Sequence, residues 1–138
     1  MTASLTRIQS LFLVRASFEV ANNEDWLDAI AFLDGQSAPI PLDGLTIRAI
    51  GRTARDSTAA HFGLATPGAT LDLASSTPRG VLLIGGADRN VLAFSAPFSR
   101  RDHRPPGGTY VFDVVAAGDG LTRRIVDGDL TLIEGITR

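Results

Sequence analysis

The chain has 138 residues, 44% hydrophobic and 20% charged, with a formal net charge of −2 and no cysteine. That length suits one domain able to bury a core without staples, and the composition is globular rather than disordered. The charge excludes a general attraction to nucleic acid or an anionic membrane surface, and the missing cysteines exclude disulfides and thiol-based metal or redox chemistry.

All thirteen basic residues are arginine. Either codon bias in a GC-rich genome or selection for planar, bidentate contacts accounts for that. No apolar run approaches the ~20 residues of a membrane-spanning helix. The opening MTASLTRIQSLFLVRA carries no convincing cleavage site, so the chain is expected to stay in a cytoplasm or to be assembled there into something larger.

Residues 1–10 are polar with scattered apolar positions, and read as a flexible N-terminal arm or a single helical turn. Residues 11–138 read as one domain. Phe12, Val14, Ala16, Phe18 and Val20 share a parity, with Arg15 and Glu19 opposite, which is the two-residue period of a first strand. Asn22 to Asp25 is a polar turn. Trp26 to Asp34 suits either a helix, with Trp26, Ile30 and Leu33 on one side, or a strand buried on both faces. The strand is favoured because its neighbours read as strands. Two prolines make Gly35 to Gly44 a loop or an edge segment, and Leu45 to Ile50 alternates again.

Ala59 to Ala65 is a short strand candidate, and Leu71-Asp72-Leu73 a briefer one. Val81–Ile84 and Val91–Ala96 flank a Gly-Gly-Ala-Asp-Arg-Asn turn and read as a hairpin. Gly80 to Asn90 lacks the glycine spacing of a dinucleotide turn and the lysine of a phosphate loop, so hairpin is the better reading. Ser99 to Gly108 is polar, irregular and expected at the surface. The chain closes on a second hairpin. Tyr110, Phe112, Val114 and Ala116 alternate, Gly118-Asp119-Gly120 reverses the chain, and Leu121–Val126 returns. Asp127-Gly128-Asp129 is expected to mark a bend or bulge before Leu130–Ile133 resumes the alternation. Turn signals at ~8–12 residue intervals favour an all-β sandwich or barrel.

No reaction is spelled out. His61 and His103 are too few for a zinc site, Asp119, Asp127 and Asp129 each adjoin glycine as turns require, and no Gly-x-Ser-x-Gly elbow surrounds a serine. The expectation is therefore no catalytic, cofactor or metal site. Arg100, Arg101 and Arg104, with His103, form the one charge patch, read either as a solvated loop or as a contact with an acidic surface of a protein partner.

Asp25-Trp26, then Gly35 with Pro39-Ile40-Pro41-Leu42-Asp43-Gly44, then Thr46–Arg52, together with Gly108–Val114 and Asp127–Leu132, resemble the opening and closing motifs of small immunoglobulin-like domains in bacteriophage virion proteins. The matching stretches cover about half of the chain, and Ala54–Phe98 matches no such motif. The resemblance implies an immunoglobulin-like antiparallel β-sandwich of about 7–9 short strands. It also implies a non-enzymatic tail, baseplate, neck or head-spike adaptor, of a phage or of a phage-like particle such as a gene transfer agent. Its partners would be copies of itself and other virion structural proteins, with no cofactor, nucleic acid or membrane, and Arg100, Arg101 and Arg104 are the candidate partner-binding residues. The alternative is a small-ligand or carbohydrate-binding β-sandwich module.

Overall fold

The computed structural model describes residues 7–21 and 23–134. Its strands are β1 (Val14–Ala21), β2 (Trp26–Ala31), β3 (Thr46–Arg52), β4 (Phe62–Ala65), β5 (Arg79–Gly85), β6 (Val91–Ala96), β7 (Gly108–Gly118) and β8 (Leu121–Ile133), with one helical turn, α1 (Arg7–Ser10). The protein is all-β, as expected, with eight strands hydrogen-bonded in the order β1-β8-β7-β3-β4-β5-β6-β2.

That order differs from the antiparallel sandwich in a specific way. β1 and β2 are neighbours in sequence, separated by residues 22–25, yet they form the two opposite edges of the sheet. A sheet whose edges are tied by so short a connection has to curl until they approach, and the Phe18 and Trp26 rings meet across the seam at 6.0 Å. The core lies inside one nearly barrel-shaped sheet rather than between two facing ones. The sheet is also mixed, because β1 runs parallel to β8 and β4 parallel to β5. Alternation states which residues face inward but not which strand lies alongside, so sandwich and rolled sheet share one sequence pattern.

The segment open between helix and strand is the strand β2. Trp26 faces inward and is fully buried, whereas Leu27, Ala29 and Ala31 face outward and are exposed, so β2 is buried on one face only. The Trp26 ring touches Phe94 at 5.1 Å, Phe112 at 5.7 Å, Phe62 at 5.8 Å and Phe98 at 5.9 Å between centroids. Its Nε1 donates to Asp28 Oδ2 at 2.9 Å, which satisfies the one polar atom that burial of the ring would otherwise strand.

Both hairpins form, β5–β6 and β7–β8. In the closing turn Asp119 and Gly120 take φ of 52° and 77°, the paired positive values that match the twist of the flanking strands. The break expected at 127–129 is absent, since β8 runs through it. The irregularity lies instead between Val114 and Val115, where Val126 and Arg124 are their partners and Ile125 is the extra, buried residue. Leu71–Leu73 is loop rather than strand, and its leucines close over Gly63, where a Cβ would lie 2.4 Å from Leu73 Cδ1. Of the arm expected over 1–10, residues 7–10 are α1, docked by buried Ile8 and by the Arg7 guanidinium, which donates to the Pro41 and Asp43 carbonyls. Residues 1–6 lie outside the described residues.

Candidate functional site

The outer surface divides into two chemically different halves. On β1, β8, β7 and β3 charged residues are interspersed among the outward positions. Register sets Arg15 beside Asp127, Asp127 opposite Asp113, and Asp113 opposite Ile50, with Arg124, Val115 and Arg48 in the adjacent row. Two carboxylates directly opposite one another repel. Arg55, from the β3–β4 loop, donates to Asp127 Oδ1 at 2.6 Å, and Arg15 donates to Oδ2 at 3.2 Å.

The Arg55 hydrogen bond holds the Asp127 carboxyl below the usual carboxylate range, with the charges of Arg55, Arg124 and Arg15 acting in the same direction. Its folded-state pKa is therefore depressed. The stabilisation is fully present above the unfolded value near ~3.9 and is lost as pH falls through the folded value. Asp127→Asn should thus show a smaller drop in melting temperature than the parent on acidification from about pH 5 to about pH 2. Identical acid profiles would remove Asp127 from the account of acid unfolding.

Next to this clamp, on β3 and β7, lies an open cleft of about 300 Å³ floored by Ile50, Val115 and Ala117 and walled by Arg48 and Arg52. A second hollow of about 200 Å³ shares Ile50, Arg52 and Asp113 with it and runs on to Arg55 and Asp127. Among the described residues the Arg48, Arg52 and Arg124 side chains make no hydrogen bond or ion pair, unlike Arg7, Arg15, Arg55 and Arg89. These arginines were not legible as a group. Only the equal parity of Arg48 and Arg52 on one strand was readable, and their neighbours on β7 come from residues about sixty positions away.

The other half of the surface has an apolar stretch on β2, β6 and β5, with Arg79 exposed at the start of β5 beside it. Register aligns Leu27, Ser95 and Val81 in one row, Ala29, Ala93 and Leu83 in the next, and Ala31, Val91 and Gly85 in the third. Leu27 is 69% exposed, with Leu83 and Val81 at 45% and 42%. Three strands ~4.8 Å apart over ~20 Å of length give a footprint of roughly 300 Å². Leu33, beyond the end of β2 and exposed on the same parity, extends it.

Arg100, Arg101 and Arg104 sit together in the β6–β7 connection, where Arg101–His103 makes one 3-10 turn. Arg100 lies near Asp25, whose carboxyl is held below the usual range first by the Ser99 hydroxyl and then by the Ser99 amide, with Arg100 adding to it. This contact ties the connection to the turn before β2. His103 lies 3.9 Å from Asp102. His61 packs its ring 5.3 Å from that of Tyr110, far from an acid-base constellation, and its amide donates to Gly51. Among the described residues no group of three or more His, Asp or Glu side chains gathers as metal ligands would. Trp26 and Tyr110 are both buried in the core, and among the described residues the exposed aromatic side chain is Phe12.

The chain is a small all-β protein whose outer surface has an arginine- and aspartate-bearing region on β1, β8, β7 and β3 and an apolar stretch on β5, β6 and β2. No family model matches it, and no curated protein matches it in sequence.

Proposed function

We propose that this protein is a non-enzymatic assembly component that docks onto copies of itself through the outer face of β5, β6 and β2. The observation that carries the reading is the central stretch of that outer face, whose nine register positions hold no ionisable side chain, with Arg79 at its margin. An exposed apolar patch of a few hundred Å² is the size at which such patches serve as interaction surfaces. A face without charge offers nothing to steer a charged partner, and it is complementary to itself across a two-fold axis, the commonest symmetry of homo-oligomers.

The particle context is the second part of the proposal. The resemblance of residues 23–52, 108–114 and 127–132 to phage virion domains supports a structural role in a phage or phage-like particle, assembled in the bacterial cytoplasm. Neighbouring virion proteins would then be the further partners, met through loops such as that of Arg100, Arg101 and Arg104.

The test is the mass in solution by size exclusion with light scattering, for the parent and for Leu27→Glu with Leu83→Glu. Both positions are exposed in the single chain, so the fold should persist, which circular dichroism checks. An uncompensated charge buried at an interface costs about 3–5 kcal/mol. The parent should run as a multiple of the chain mass and the variant as one chain. A parent that stays a single chain at high concentration, or a variant of unchanged mass, overturns self-docking through this face.

A further inference from the structure

We propose that the cleft on the outer face of β3 and β7 binds a small organic anion, a carboxylate carried on a short apolar body. This site lies on the charged half of the surface, so it stands or falls independently of self-docking through β5, β6 and β2.

The geometry starts from β3. Arg48 and Arg52 lie on one face of the strand, two positions to either side of Ile50, which puts their Cα atoms ~13 Å apart. Arginine side chains are long enough for both guanidiniums to lean toward an anion held over Ile50. Neither has a partner among the described residues, and each offers the planar donor fork that matches a carboxylate. Between them lie Ile50 and, across from it, Asp113, and alongside and beyond Arg48 the floor continues as Val115 and Ala117, so a bare inorganic ion would leave its apolar part uncovered. A volume of about 300 Å³ is at the lower end of small-molecule sites.

Charge favours an anion over a cation here, although the chain as a whole is at −2. Arg15, Arg48, Arg52, Arg55 and Arg124 face outward around Asp113, Asp127 and Asp129. Asp127 is already neutralised by Arg55 and Arg15. Asp113 is the opposing element. It lies across from Ile50, bonds to neither Arg48 nor Arg52, and repels a bound carboxylate. The cleft is open, so binding is weak and selective rather than tight.

Benzoate is the probe, followed by the backbone amide signals of the labelled full chain in nuclear magnetic resonance at constant ionic strength. The expected result is saturable movement of the Arg48, Ile50, Arg52 and Val115 signals. Arg48→Gln and Arg52→Gln should each weaken binding about tenfold, the loss of one charge-assisted hydrogen-bonding group. Asp113→Asn should tighten it several-fold, which a merely structural role for Asp113 would not do. Benzyl alcohol, lacking the charge, and inorganic phosphate, lacking the apolar body, should both bind more weakly than benzoate.

Three outcomes overturn the proposal. Movement that never saturates, or that survives both glutamine substitutions, removes the arginines from it. Phosphate binding as well as benzoate makes the site an adventitious ion site only. Benzamidine binding in preference to benzoate, abolished by Asp113→Asn, makes it a cation site.

Discussion

Trp26→Ala is expected to destabilise the protein by about 3–5 kcal/mol, the usual cost of truncating a large buried aromatic. The ring is fully buried and contacts Phe18 of β1, Phe62 of β4, Phe94 of β6, Phe112 of β7 and Phe98 beyond β6. Its removal opens a cavity where the two edges of the sheet approach. Relaxation there is limited, because the neighbouring rings belong to strands held by their own ladders. For a chain of this size that energy corresponds to a fall in melting temperature of about 10–20 °C. Circular dichroism is the suitable probe, since Trp26 is the only tryptophan and its loss removes the tryptophan fluorescence. A fall below about 5 °C would mean that the seam repacks freely, and that Trp26 does not organise the core.

Gly128→Ala is expected to cost about 1–3 kcal/mol although it adds a single methyl group. A Cβ at Gly128 would lie 2.4, 2.7 and 2.9 Å from three atoms of the Phe112 ring. That ring has no free direction to swing, being held by Trp26 at 5.7 Å and Phe94 at 5.9 Å. The clash is therefore specific to one partner, and a double-mutant cycle isolates it. In a Phe112→Leu background, Gly128→Ala should be close to neutral, giving a coupling of about 1–3 kcal/mol. Equal costs in both backgrounds would show that the glycine is needed for its backbone and not for the ring.

Gly128 illustrates what was and was not readable in advance. The sequence places it between two aspartates, where glycine ordinarily means a turn, and a bend was the natural expectation. The glycine instead sits in mid-strand, directly across from Phe112, because a large ring lies flat over the backbone there. The bulge that does occur, at Val114–Val115 against Arg124–Val126, falls among good strand formers and leaves no local mark. By contrast, the turn at Asp119-Gly120 was legible, since its positive φ values are a local demand that only a few residue types meet.

The candidate sites divide in the same way. Arg100, Arg101 and Arg104 are adjacent in sequence and could be read as a patch at once. The apolar face of β5, β6 and β2 comes from residues 27–31, 81–85 and 91–95, and is assembled by register. Leu27 reads as a core residue of a strand buried on both faces, because alternation identifies two faces without naming the buried one when both are apolar.

The sequence by itself determined the all-β class, the eight-strand scale, the two hairpins and most inward-facing residues. Each of these follows from a two-residue period or from glycine and proline turn chemistry, which act over a few positions. Tertiary structure decided that the strands form one rolled mixed sheet, that β1 and β2 become its approaching edges, and that Arg48, Arg52, Arg55 and Arg124 gather around Asp113 and Asp127. Those outcomes depend on which strands pair and in what register, and that choice is made by side chains meeting across the core from distant parts of the chain.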